Sequence, residues 1–161
     1  MQLWLDSELG AKWRSGEFNV NVIKALGVDQ LLPKRVKKLS GGERQAVSIA
    51  ICLGRDADLY LLDEPSAHLD ANARMEAAKA IRRTMEANEK TALVIDHDVY
   101  FIDILSDSLM VFDGEGGKSG RATGPYPLRD GMNQFLDQVN ITFRRDHDSK
   151  RPRINKPDSR K

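Results

Sequence analysis

Apolar positions in this chain fall into short, bounded runs whose spacing alternates between helical and extended. Residues 1–37 read as helical and mostly polar, with Trp4, Leu5, Leu9 and Trp13 as packing points. Phe18–Leu26 is a second helical pattern, punctuated by Gly27 and Pro33. Ser40 stands where a helix N-cap is expected. The run Ala46–Leu53 after it is apolar nearly all round and predicts a buried helix. Leu59–Leu62 is a short apolar run closed by Asp63, Glu64 and Pro65, the pattern of a buried parallel strand. Asn72–Asn88 is helical, with Met75, Ala78, Ile81 and Met85 along one face. Thr91–Ile95 predicts another buried strand, Val99–Leu105 a short helix and Ser108–Phe112 a third strand.

Strand, helix, strand, helix, strand in this order implies an α/β fold with parallel strands, flanking helices and right-handed crossovers. Asp113–Pro127 is rich in Gly and Pro and reads as turn and loop. Gly131–Val139 predicts one more helix, and beyond Ile141 the pattern fades. The expected organisation is a helical subdomain with its following helix over 1–54, a core over 55–130, and a hinge-like basic segment over 131–161.

Composition narrows the class. Of the 161 residues, 40% are hydrophobic and 30% charged, as in soluble globular domains. No apolar run approaches the roughly 20 residues that span a bilayer, and the start lacks a secretory pattern, so the default expectation is cytoplasmic. The single cysteine, Cys52, makes neither an internal disulfide nor a metal cluster and reads as a small buried hydrophobe. Net charge is +1, yet residues 142–161 carry eight basic against three acidic side chains. Such a tail is either a solvated terminus or a phosphate-binding strip.

Four short motifs carry chemistry. In Leu39-Ser40-Gly41-Gly42-Glu43-Arg44-Gln45, two glycines permit close backbone approach, a hydroxyl sits beside them, and a helix starts at once. Free N–H groups and the helix dipole favour an anion there; the plainer alternative is an ordinary Ser-capped helix. Asp63 and Glu64 stand at the C-terminal end of a strand, the end that faces ligands in open α/β sheets. Asp63 reads as a holder of Mg²⁺ through water, and Glu64 as the group that polarises the water attacking a γ-phosphate. In Ser66-Ala67-His68-Leu69-Asp70, Asp70 reads as a polar contact across a dimer interface and equally as a helix cap, while His68 reads as a surface residue. His97, two residues past the second strand, is placed to sense a γ-phosphate.

In this order and spacing, Leu39 to Asp98 resembles the ABC-type ATPases. The expected fold is therefore a partial P-loop NTPase of ABC type. The Gly-x-x-x-x-Gly-Lys-Ser/Thr loop that cradles phosphates in such proteins has one near match, Gly117-Lys118-Ser119. Phe112 occupies the place of its first glycine, and Gly120, Gly124, Pro125 and Pro127 forbid a helix after it. The chain is expected to lack the strand and loop of the Walker A motif, leaving an apolar sheet edge and face uncovered. The glutamine loop of the family has no candidate.

Three segments point to one branch. Gly131-Met132-Asn133-Gln134-Phe135-Leu136, Ile141-Thr142-Phe143-Arg144-Arg145-Asp146 and Arg151-Pro152-Arg153-Ile154-Asn155-Lys156 closely resemble the end of the ribosome-recycling ABC ATPases, the RNase L inhibitor (ABC-E) family. Asp58–Asp70 and Val111–Gly114 fit as well. The resemblance implies the C-terminal part of the second of two ATP-binding domains, ATP and Mg²⁺ as ligands, and iron–sulfur clusters only in an N-terminal part absent here. It implies composite sites. Asp63, Glu64 and His97 would serve one ATP; Ser40, Gly41, Gly42, Glu43 and Asp70 would meet the nucleotide and surface of the other domain. The implied partners are that other domain, from the same parent or a partner fragment, and the ribosomal subunit with its RNA, with no membrane. Arg144, Arg145, Arg151, Arg153 and Lys156 are either RNA contacts or hinge packing. Two other classes remain at this level: a non-catalytic ribosome- or partner-binding fragment, and the ATPase subunit of a membrane transporter, against which the 131–156 segment argues.

Overall fold

A computed structural model describes residues 1–14, 16–137, 142–145 and 152–155, the last two segments by their backbone. The chain divides into two compact units, Met1–Leu105 and Ser106–Lys161. The first opens with α1 (Gln2–Leu9), a 3-10 turn at Lys12–Arg14, α2 (Gly16–Phe18) and a π-helical turn at Asn19–Lys24. Gly27 then turns the chain at φ 67°, a left-handed conformation that glycine adopts without a Cβ penalty. After two further 3-10 turns come α3 (Gly41–Gly54), β1 (Leu59–Asp63), α4 (Ala71–Asn88), β2 (Thr91–Ile95) and α5 (Val99–Leu105).

One hydrophobic core serves the whole unit, from Leu5, Trp13 and Ile23 through Val47, Ala50 and Leu53 of α3 to Ile81 and Phe101. The all-round apolar character of α3 is explained by this central position. Gly54 closes the helix where a Cβ would lie 2.5 Å from the Leu9 side chain, so α1 packs directly on the end of α3.

β1 and β2 are parallel and in register, Leu59 opposite Thr91 through to Asp63 opposite Ile95. The long α4 crossover between them satisfies the connection that a parallel pair needs. Tyr60 and Leu62 are buried on one face, whereas Leu59 (52% exposed), Leu61 (67%), Leu93 (46%) and Ile95 (56%) stand open on the other. β1 is therefore buried on one side only, and β2, whose Ala92 and Val94 are half-buried on that side, is not the buried strand expected; the uncovered apolar face expected from the sequence is present.

The second unit corrects two expectations. β3 (Ser108–Glu115) does not join the parallel sheet. It pairs antiparallel with β4 (Ser119–Pro127), so the Gly- and Pro-rich stretch read as loop is largely strand. The connection Gly116–Lys118 is three residues long, and so short a link allows only an antiparallel partner. α6 (Leu128–Asp137) follows, with Gly131 lying where a Cβ would be 2.6 Å from that of Leu109. Val111, Met132 and Leu136 are the unit's buried hydrophobic side chains among the described residues. Where the hydrophobic pattern fades, β5 (Thr142–Arg145) pairs antiparallel with β6 (Pro152–Asn155), setting Arg144 opposite Arg153. Arg144, Arg145 and Arg153 thus occupy backbone positions in a hairpin, while Arg151 and Lys156 lie outside the described residues.

Candidate nucleotide site

The start of α3 is fixed by reciprocal capping. Ser40 adopts an extended conformation, its Oγ accepts the Glu43 N–H at 3.2 Å, and Glu43 Oε2 accepts the Ser40 N–H at 2.9 Å. Lys34 Nζ sits 2.5 Å from Glu43 Oε1. That ammonium, with the Ser40 N–H, holds the Glu43 carboxyl below its ordinary range. Glu43 is therefore engaged in building the turn. The N–H groups of Gly41 and Gly42, in the first turn, have no acceptor within the helix. Both glycines border the segment after β1. A Cβ on Gly42 would lie 2.8 Å from the His68 carbonyl oxygen, and one on Gly41 would touch the His68 side chain at 3.4 Å. Gly42 must therefore remain without a side chain.

Asp63 ends β1 with its carboxylate exposed. Glu64 follows at φ 44°, a left-handed position for a non-glycine residue, and its N–H donates to the Ile95 carbonyl at 2.7 Å. The ladder between the strands thus runs one residue past β1. Glu64 Oε1 lies 3.7 Å from His97 Nδ1, and both side chains are exposed. The two strand tips deliver the acid and the imidazole to one place, as their sequence positions suggest.

Between them the loop is held at several points. Ser66 is buried; its N–H donates to Asp96 Oδ2 at 3.0 Å and its hydroxyl to Asp96 Oδ1 at 2.8 Å. Asp96 also accepts the Asp98 N–H at 2.9 Å. Asp98 caps α5 by accepting from Tyr100 and Phe101 N–H groups at 3.0 and 2.9 Å, and takes Arg74 Nη1 at 2.7 Å. Gln45 Nε2 reaches the loop from α3, donating to the Glu64 carbonyl at 3.4 Å and the Pro65 carbonyl at 3.2 Å. His68 is exposed, as expected, at φ 62°. Asp70 caps α4, its Oδ1 accepting the Ala73 N–H at 2.9 Å, while its side chain stays at the surface. Both readings given to Asp70 are thus geometrically open.

Gln45, Asp96, Asp98 and Arg74 were not singled out in the sequence. The Asp98 cap was readable from its place before an apolar helix. Gln45 meets carbonyls 19 and 20 residues away, and Asp96 holds Ser66 from 30 residues away, so neither of these roles leaves a local signature. Cys52 is half-buried, its thiol pushed up by desolvation, and borders a groove of about 320 Å³ with Trp4 and Tyr60. Lys118, in the near match to a phosphate loop, occupies a hairpin turn and pairs with Glu115.

The family model described as ABC transporter matches residues 11–67. The chain is 47% identical over 143 residues to ABC transporter E family member 1 of Arabidopsis thaliana, and 46% identical over 143 residues to translation initiation factor RLI1 of Saccharomyces cerevisiae. Each match takes in 89% of this chain and 24% of the relative. A solved archaeal ribosome recycling factor, aABCE1, in complex with a ribosomal stalk protein, superposes with a TM-score of 0.90 at 54% identity, over 97% of this chain and 30% of that one. The chain belongs to the ABC-E family. It spans about a quarter of the length of the curated relatives it matches. This ABC-E chain carries a signature turn at Ser40–Gln45 and a strand-tip loop at Asp63–Asp70, joined by Gln45 and by the Gly42–His68 approach. No helix among its described residues is long and apolar enough to cross a membrane.

Proposed function

We propose that this chain is the C-terminal part of the second ATP-binding domain of an ABC-E ATPase, and that closure and opening of the paired domains drive ribosome recycling in the cytoplasm. The observation that carries this reading is the 3.7 Å approach of Glu64 to His97 at the tips of two parallel strands. A carboxylate there polarises the attacking water, and the imidazole contacts the γ-phosphate. Ser40 and the Gly41 and Gly42 amides face the γ-phosphate held by the other domain, where the positive end of α3 stabilises its charge. Glu43 shapes that turn, and Asp70 contributes across the interface.

Asp63 suits magnesium. Among the described residues no cluster of three or more His, Cys, Asp or Glu cages a metal, and Asp63 offers one exposed hard-oxygen donor. A Mg²⁺ that keeps its waters and phosphate ligands needs no more from the protein. When bound, it neutralises phosphate charge.

Because the chain has no phosphate loop, it is expected neither to hold ATP tightly nor to turn it over alone. The partners are the remaining parts of the domain pair and a ribosomal subunit. The test is Glu64→Gln in a full-length ABC-E protein carrying this segment. Nucleotide binding should persist while hydrolysis falls by about 10²–10⁴-fold, the usual contribution of a general base. Normal turnover would remove Glu64 from the reaction.

A further inference from the structure

Glu64 sits in a backbone conformation that costs energy, φ 44° for a residue with a side chain. Such a residue keeps its place only if its surroundings over-determine it. On one side, the Glu64 N–H is tied to Ile95 at 2.7 Å, and the Ser66 N–H and hydroxyl are tied to Asp96. These ties all run to the exit of β2. On the other side, the carbonyls of Glu64 and Pro65 both accept from the Gln45 carboxamide of α3, at 3.4 and 3.2 Å, and the Glu64 carbonyl also closes the turn by accepting the Ala67 N–H at 3.0 Å. An amide NH₂ has two protons and can serve two acceptors. Pro65 has no N–H and a fixed φ, so the peptide between these carbonyls has little freedom to turn.

Gln45 lies on the first turns of α3, on the helix whose N-terminus carries Ser40, Gly41 and Gly42. The first turn of the same helix meets the far end of the loop, where Gly42 approaches the His68 carbonyl so closely that no Cβ fits. The signature helix and the strand-tip loop therefore touch at two points, four residues of loop apart. A displacement of α3 is passed to the peptide that follows Glu64.

We infer that Gln45 is a positioning residue for Glu64, linking the helix that serves one nucleotide to the carboxylate that serves the other. The inference rests on the function proposed above. Gln45 touches neither nucleotide; it acts through the backbone on which Glu64 is mounted.

The experiment uses a full-length ABC-E protein carrying this segment, with Glu64→Gln, Gln45→Met and Gln45→Glu measured side by side. Gln45→Met keeps the length of the side chain and removes both donated bonds. It should lower kcat about tenfold, the equivalent of one ordinary hydrogen bond's worth of misplacement, with KM for ATP within about twofold. Gln45→Glu sets an acceptor against two carbonyls and should lose more. The amide signals of Ser66 and Ala67 should shift in both variants, while the melting temperature of Gln45→Met stays near that of the parent. Loss of turnover in Glu64→Gln with unchanged kcat in both Gln45 variants would overturn this inference alone. A raised KM with unchanged kcat in Gln45→Met would overturn it too, since that marks binding and not positioning. Normal turnover in Glu64→Gln would overturn the underlying function and this inference with it.

Discussion

Two segments of this chain pair glycines with a serine, and the chain uses them in opposite ways. Leu39–Gly42 opens α3; Gly114–Gly120 closes the β3–β4 hairpin. Each contains a glycine at which a Cβ would strike a carbonyl oxygen: Gly42 against His68 at 2.8 Å, Gly114 against Ser119 at 2.2 Å. At Gly114 the carbonyl belongs to the opposite strand of its own hairpin, and φ is 145°. At Gly42 it belongs to a loop 26 positions further along, so the glycine joins two motifs. The cationic neighbour differs as well: Lys34 clamps the capping carboxylate, whereas Lys118 only bridges its own turn to Glu115. Glycine and serine make a candidate anion site when a helix with free amides follows them. In a hairpin they supply only curvature.

That contrast can be broken experimentally. Gly42→Val should have the largest effect, about 3 kcal/mol or more of lost stability, because the side chain meets backbone that cannot move aside. Chemical denaturation of the purified chain reads it directly. Gly114→Ala should be next, but its damage should be confined to the hairpin. Faster amide exchange across β3 and β4, with β1 and β2 unchanged, is the expected pattern. Ser40→Ala removes one cap and should cost about 1 kcal/mol. Lys118→Ala removes a surface pair and should stay within about 0.5 kcal/mol. Melting curves of these two variants separate the cap of a helix from the surface ion pair of a hairpin turn. The smallest effect is pH dependent. Glu43 has a lowered pKa in the folded chain, so its stabilisation is present above the ordinary carboxylate range and fades as pH falls through the lowered value. Glu43→Gln should flatten that part of the acid unfolding profile.

Much of this was legible because the deciding forces are local. Val99–Leu105 and Thr91–Ile95 coincide with the observed elements, since periodicity and flanking polar residues set both ends. Ser40 was readable as a cap because its partner is three residues away. Glu64 and His97 came together because each follows a strand, and parallel strands in register place their ends side by side. The failures share a cause. β4 was hidden by its glycines and prolines, whose usual meaning is a break, although the partner strand tolerates them. The pairing of β3 could not be read without recognising β4. Asp96 and Gln45 look like ordinary surface polar residues in sequence; only the folded loop shows that one holds Ser66 and the other the carbonyls after Glu64.

The open side of the β1–β2 pair has a practical consequence for anyone handling this polypeptide. Four aliphatic side chains spread over two neighbouring strands, whose outer edges find no strand partner among the described residues, are a template for sticking to the next copy. Kosmotropic salts such as sulfate should drive clumping at concentrations where chloride does not. Leu61→Arg, at the most exposed of these positions, should restore clear solutions and mark the sheet as the adhesive patch.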